Sequence, residues 1–285
     1  MLESMRTYSL DDVHETRKRR DSWWTVYFVD PAACRVALAV ANRTQLTPNA
    51  LTVFSLVLGA VSAACLAMNQ LVAGALAFYL SFMIDCVDGK VARLKGTGTP
   101  FGLWLDYVGD RVRVVLCAGG LAYGQYALTG DVRFIVLGAA VAVLDLFRYV
   151  NAPQMKRVRE AVKEGRQEPG DEDEPFEQDP FDQEPQEPQD RVATGRGPRR
   201  RSFPRRLNRF LARHRVRSHL ISGIEFHAAV FVVAPLAGAW ALIPLAAMSG
   251  VLLLANEVFL VYRLWLFTRR HGAASSQESR EHVLV

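Results

Sequence analysis

Apolar residues gather into long runs along this chain, and the polar ones collect between the runs and at both ends. Windows of about twenty predominantly apolar residues, the length needed to cross a bilayer, fall at 48–68, 70–91, 101–128, 132–151, 218–238 and 242–267. The pattern predicts an all-α integral membrane protein with six transmembrane helices, and an even number of crossings puts both ends on one side. Residues 31–43 are small and apolar, with Arg35 and Arg43 eight apart. They predict a helix lying on the inner membrane surface, anchored by Trp23, Trp24, Tyr27 and Phe28 just before it. A soluble helix ahead of the first span fits the same pattern.

Lysine and arginine give the orientation. The segment with Arg17, Lys18, Arg19, Arg20, Arg35 and Arg43 is basic, as are the link with Lys90, Arg93 and Lys95, the middle of the chain, and Arg269 with Arg270. The alternate links, at Asn69, at Thr129 to Asp131 beside Arg133, and near Trp240, are short and nearly free of cations. By the positive-inside tendency the basic set, and with it both termini, is expected in the cytoplasm, with the protein in the plasma membrane.

The chain divides accordingly into an N-terminal segment (1–47), four membrane helices (48–164), a loop (165–217), two more helices (218–267) and a tail (268–285). In that loop, residues 168–190 hold eleven Asp or Glu, five Pro and no Lys or Arg, whereas 191–217 hold eleven Arg and no acid. The acidic block has too little apolar surface to offset the entropy of folding and is expected to be disordered. The arginine-rich block suits anionic lipid at the inner leaflet, or pairing with its acidic neighbour. It carries no aromatic or fold signature of nucleic-acid binding. Cys34, Cys65, Cys86 and Cys117 are far apart and mostly within apolar runs, which points to packing and not to disulfides or zinc. The N-terminus lacks a short apolar core followed by a small-residue cleavage site, so no cleaved signal peptide is expected.

Candidate chemistry concentrates where the second span meets the cytoplasmic side. The sequence there reads Asp85-Cys86-Val87-Asp88-Gly89-Lys90-Val91-Ala92-Arg93, and after the breaker-rich Gly96 to Pro100 the third span opens with Gly102, Asp106 and Asp110. Residues three or four apart share a helix face, so Asp85, Asp88, Gly89 and Ala92 project together, and Gly102, Asp106 and Asp110 form a stripe on the next helix. A short link makes the two helices antiparallel neighbours with four carboxylates facing across one seam. Asp85 lies about 14 residues, or roughly 21 Å, from the outer end of its span, in the inner half of the hydrocarbon core. A carboxylate there costs about 2.5–3.5 kcal/mol, so the group is either protonated or balanced by cations. Two divalent ions balance four charges, and the all-oxygen donor set suits Mg2+ or Mn2+ over Zn2+. Such ions clamp a pyrophosphate and activate an oxygen nucleophile, and the small residues let a ligand approach the backbone. Taken singly, acids near a helix end are commonly solvated and membrane glycines serve packing. All of them at one link do not fit that explanation.

At these residues the sequence resembles the CDP-alcohol phosphotransferases (CDP-alcohol phosphatidyltransferases). Their signature, D-x2-D-G-x2-A-R-x8-G-x3-D-x3-D, is met by Asp85, Asp88, Gly89, Ala92, Arg93, Gly102, Asp106 and Asp110 without a departure. The resemblance, strongest over 44–125, implies a six-helix fold, usually dimeric, with a site open to the cytoplasm. It implies Asp85, Asp88, Asp106 and Asp110 as metal ligands, Asp110 also as general base, and Gly89, Ala92 and Gly102 lining a nucleotide pocket. Arg93 would stabilise the site or the donor phosphates, and Asn49 and Thr52 would reach the pyrophosphate. The reaction implied is transfer of a phosphatidyl or other phospho-alcohol group from a CDP-alcohol, such as CDP-diacylglycerol, to an acceptor alcohol with release of CMP. The insertion at 165–217 has no counterpart in that family pattern.

Polar groups in the later spans are the candidate acceptor contacts: Asp145 and Arg148, Glu225 and His227, then Asn256, Glu257 and Arg263. Intramembrane ionisable groups are functional suspects, and ion pairing between helices is the competing explanation. Arginines suit a phosphorylated acceptor. Two other functions use similar residues. An intramembrane cation carrier also lines its path with acids, though it has no need of the small residues and Arg93 around them. A catalytically silent scaffold working through its charged insertion would have no need of the complete acid set.

Overall fold

The computed structural model describes residues 7–164, 215 and 221–281, with side chains to 162 and 269 in the two longest helices. Among the described residues the chain is all-helical. Helix α1 (Leu10–Glu15) and helix α2 (Asp30–Arg43) precede α3 (Pro48–Ala67), α4 (Leu71–Lys95), α5 (Pro100–Thr129) and α6 (Arg133–Glu164). Further along the chain come α7 (Gly223–Ala237) and α8 (Ala239–Glu281). The acidic block, and all of the arginine-rich block except Arg215, lie outside the described residues.

Local chemistry sets the boundaries that matter for the site. Thr47 caps α3, its side chain accepting from Ala50 N at 3.3 Å, and Pro48 occupies the first turn, where its missing N–H costs nothing. Gly96 ends α4 in the left-handed region (φ 64°), where a side chain would be strained. Thr99 then caps α5 by accepting from Gly102 N at 3.0 Å, with Pro100 beside it. Four residues thus turn the chain back, and α4 and α5 each pack against α3 rather than closely against one another, unlike the antiparallel neighbours that the short link predicts.

Helices α3, α4, α6 and α8 contain stretches long and apolar enough to cross a membrane: Pro48–Ala67, Leu71–Lys95, Arg133–Val162 and Ala239–Arg269. Helix α5 has the length, but Asp106, Asp110, Arg111 and Arg113 dilute its first half. Helix α7 is short, roughly 22 Å at 1.5 Å per residue, and its turns at Ala229–Val233 widen to a π-helix just before Pro235. Leu66, Phe78, Val114, Leu121, Phe226, Phe231, Leu242 and Leu253 form the central core.

Helices α3 and α5 meet through small residues. A β-carbon on Gly120 would press on the Ala63 carbonyl, and one on Gly124 would press on the Leu66 carbonyl. The turn after α3 docks on the same stripe: Asn69, at φ 60°, donates to the Gly124 carbonyl at 2.7 Å and accepts from Gln125 at 2.8 Å.

On the polar side a second cluster of Val13, Val29, Ala33, Cys34, Ala37, Leu51, Met83, Val87 and Val91 packs α1 and α2 against α4. The helix expected over 31–43 is α2. Its approach, Thr25–Val29, is a π-turn with Tyr27 and Phe28 each 54% exposed, and Tyr79 ties it to α4 by donating to the Phe28 carbonyl at 2.6 Å.

Candidate active site

The two helix stripes do meet. Oxygens of Asp85, Asp88 and Asp106 lie within 4.8 Å of one another, a spacing that suits shared coordination of a cation. The chain direction orders the acids by depth. Asp88 and Asp106 are the members nearer the link, and Asp85 and Asp110 lie one turn further into the bundle on their respective helices. Hydroxyls from α3 reach both acids of α4: Thr52 donates to Asp88 Oδ2 at 2.5 Å and Ser55 to Asp85 Oδ1 at 3.3 Å.

Asp110 is held differently. It is ion-paired with Arg113 on its own helix, and Arg111 Nη2 stands 3.7 Å from its other oxygen. Its side chain is 29% exposed, against 12% for Asp85. It therefore has more room than Asp85 to meet an incoming hydroxyl.

The small residues have visible neighbours. At Gly102 a side chain would press on Asn49 Oδ1 and sit 3.1 Å from Thr99 Oγ1, which places Asn49 at the mouth of the seam. At Gly89 it would lie 3.5 Å from both terminal nitrogens of Arg93. Arg93 itself donates from Nε to the Thr16 carbonyl at 2.8 Å, so it also ties the N-terminal segment to α4. The Ala92 carbonyl accepts from Thr97 N at 3.1 Å, and its methyl is half-buried on the same stripe.

The candidate acceptor residues sit among α6, α7 and α8, and several are engaged by internal pairing. His227 Nε2 is 2.7 Å from Asp145 Oδ1, whose other oxygen accepts from Arg111 Nη1 at 2.6 Å. Arg148 Nε is 3.7 Å from Glu257 Oε1 and lies against Gly223, and Asn151 donates to Glu257 Oε2 at 3.1 Å. Glu225 acts locally, accepting from Ser222 N at 2.9 Å in the capping box that starts α7. Arg263 stacks on Phe259 at 5.9 Å. The site residues that sequence reasoning missed are Ser55, Ser81, Arg111 and Arg113. Their signal was positional, each falling three or four residues, or one, from a residue already singled out.

The family model for CDP-alcohol phosphatidyltransferase matches residues 45–166, the stretch holding all four acids. This stretch resembles a CDP-alcohol phosphatidyltransferase domain. Phosphatidylinositol phosphate synthase of Mycobacteroides abscessus is 37% identical over 95 residues, 33% of this chain and 43% of that protein. CDP-diacylglycerol–serine O-phosphatidyltransferase of Helicobacter pylori is 29% identical over 105 residues, 34% of this chain and 44% of that protein. The chain thus spans less than half the length of these curated relatives. A crystal structure of the Mycobacterium tuberculosis phosphatidylinositol phosphate synthase, in complex with manganese and citrate, aligns with a TM-score of 0.43 and 20% identity, over 82% of this chain and 88% of that one.

The Thr52 hydroxyl makes a simple test of whether Asp88 holds a metal ion. Thr52→Val keeps the shape and removes the bond that orients Asp88, and such outer partners are worth about 10- to 100-fold in metal affinity. The expected outcome is a half-saturation for Mn2+, read by electron paramagnetic resonance, about tenfold higher than that of the unaltered protein.

Proposed function

We propose that this protein is a phospholipid-biosynthetic transferase that moves a phosphatidyl group from a CDP-alcohol, such as CDP-diacylglycerol, to an acceptor alcohol and releases CMP. The observation that carries the proposal is the gathering of Asp85, Asp88 and Asp106 within 4.8 Å at a helix–helix seam, inside a matched CDP-alcohol phosphatidyltransferase domain. The donor set fits a hard divalent ion because every ligand is an oxygen and no His or thiolate competes. Asp85, Asp88 and Asp106 would hold Mg2+ or Mn2+, with Asp110 as the fourth ligand of a two-ion site. Such ions neutralise the pyrophosphate of the donor.

The chain's own residues do the rest. Gly89, Ala92 and Gly102 leave space for the nucleotide beside the helix backbones, with Asn49 and Thr52 at the phosphate end and Arg93 alongside Gly89. Asp110 takes the proton from the acceptor hydroxyl. That oxygen attacks the β-phosphorus, the bond to the α-phosphate side breaks, and CMP leaves with the electron pair. Arg148 and His227 line the interior on the acceptor side, where a guanidinium suits a phosphorylated alcohol; Glu225 shapes that side by starting α7.

The reading includes six membrane crossings, with α5 and α7 as the two less apolar ones, a site and both termini facing the cytoplasm, and the plasma membrane as location. It also includes a homodimer, and contact of residues 191–217 with anionic lipid. A cation path through the seam is disfavoured by Arg113, which stands at its deep end between Asp85 and Asp110.

The test is CMP release by purified protein from CDP-diacylglycerol across a panel of acceptors, including glycerol phosphate and inositol phosphate, with and without Mg2+. Metal-dependent release with one acceptor is expected, and Asp110→Asn should lower it by about 10²- to 10⁴-fold, the worth of a positioned base, with unfolding unchanged. Release that ignores both metal and Asp110 would falsify the assignment.

A further inference from the structure

Arg113 is buried (4% exposed) and sits at the bottom of the carboxylate seam. Its Nη1 lies 3.3 Å from Asp85 Oδ1 and donates to Ser81 Oγ at 3.3 Å, while Nη2 pairs with Asp110. One guanidinium therefore bridges the deeper acid of α4 to the deeper acid of α5. The surroundings are built to admit it. A β-carbon on Gly59 would stand 2.8 Å from Arg113 Cγ and 2.9 Å from Cδ, so α3 is hollowed where the stem passes. Below, Arg113 Cζ lies 6.0 Å over the Phe78 ring, at the edge of the central apolar core. Ser81, which accepts from it, is fixed in turn by donating to the Ser55 carbonyl at 2.6 Å.

We propose that Arg113 is a permanent counter-cation and positioning residue of the metal site. It fixes Asp85 and Asp110 in register across two helices and offsets one of the four carboxylate charges before any metal arrives. The inference rests on the metal-site reading above. Four carboxylates and one guanidinium leave the seam at three negative charges, so two divalent ions would turn it net positive, which favours an anionic pyrophosphate. Without Arg113 the metal-free protein would hold Asp85 and Asp110 without the cation they share, whereas in the metal-bound protein the ions would compensate them. Linkage then requires the ion to bind the altered site more tightly, because the metal-free state loses more than the bound state.

The experiment compares full-length wild type, Arg113→Met and Arg113→Lys in lipid nanodiscs, by Mn2+ titration with electron paramagnetic resonance and by thermal unfolding with and without saturating Mn2+. For Arg113→Met, half-saturation should move to Mn2+ concentrations about tenfold lower, a modest share of what one unit charge a few ångströms away is worth. Its unfolding temperature should fall in the metal-free sample much more than in the saturated one. Arg113→Lys, which keeps the charge, should return half-saturation to within about threefold of wild type. Equal losses of unfolding temperature with and without metal, an unchanged or weaker Mn2+ affinity, or failure of Arg113→Met to fold even in saturating Mn2+ would each reduce Arg113 to packing and overturn the proposal. A Lys variant that follows the Met variant overturns it too. If wild type binds no Mn2+ at all, the metal-site reading itself fails.

Discussion

Asp88→Asn is expected to cost at least about 10³-fold in metal-dependent CMP release, with the protein still folded. Asp88 is 6% exposed, and its carboxylate stands with Asp85 and Asp106 while accepting from Thr52. An amide has nearly the same shape and its oxygen still accepts from Thr52, so the packing of α3 against α4 is retained. What disappears is one negative charge and one strong oxygen donor from a three-carboxylate group. An ion that polarises a phosphoryl oxygen supplies several kcal/mol of transition-state stabilisation, and each 1.36 kcal/mol is tenfold in rate. The measurement pairs CMP release at saturating Mg2+ with thermal unfolding. Activity within tenfold of wild type, in a protein that melts normally, would mean that the ion is held somewhere else.

The site was legible in the sequence to the extent that it depends on local spacing. Asp85 and Asp88, then Asp106 and Asp110, fall at helical intervals, and the breakers Gly96 to Pro100 force the two helices to turn back on one another. Those facts put the acids of each helix on one face and turn the chain back, and the packing of both helices on α3 completes the meeting of three carboxylates. The partners of each acid were not legible, because partner choice depends on which helices pack side by side. Arg113 is an ordinary cation in the sequence, three residues beyond an acid. Only the approach of α4 puts Asp85 and Ser81 within its reach, and only Gly59 on α3 gives its stem room. The same holds for Asp145, whose two partners, Arg111 and His227, come from different helices. Glu225 is the converse case: the Ser222-x-x-Glu225 spacing of a capping box is local and was readable in the sequence.

Helix lengths divide in the same way. Apolar runs locate α3, α4, α6 and α8 well, since hydropathy is a property of composition. The run at 218–238 becomes the shorter α7 because Ser222 caps it and Gly238, at φ 105°, ends it. The run at 70–91 continues as helix to Lys95, carrying Arg93 on a regular turn past the apolar limit, until the left-handed Gly96 stops it. Arg215 lies far from the N-terminus in sequence. It nevertheless accepts from Asp21 N at 2.9 Å through its carbonyl and donates to the Lys18 carbonyl at 2.6 Å, a contact that no local pattern announces.

Gly124→Leu is expected to destabilise the protein severely and to remove activity with it, although position 124 lies 14 residues, roughly 21 Å along α5, from Asp110. The stripe Gly120 and Gly124 lets α5 lie against the backbone of α3. A β-carbon at 124 would press on the Leu66 carbonyl and stand 2.9 Å from that of Ala67, and these atoms belong to a helix end that cannot swing aside like a side chain. The Gly124 carbonyl also accepts from Asn69, and Gln125 donates to the same residue, so separating the helices would break the dock of the α3–α4 turn. Overpacking of this kind costs about 1–3 kcal/mol or more, and for a chain of this size each kcal/mol is about 2–4 °C in melting temperature. A fall of about 2–12 °C or more follows, read by thermal unfolding in detergent, with a smaller fall for Gly124→Ala. The control is five residues away. A β-carbon on Gly119 would meet nothing within 4 Å, so Gly119→Leu, on the exposed face of the same helix, should melt as wild type does. If both leucines are tolerated equally, the helices do not meet at this stripe, and the placement of Asp106 and Asp110 opposite Asp85 and Asp88 loses the packing that holds it.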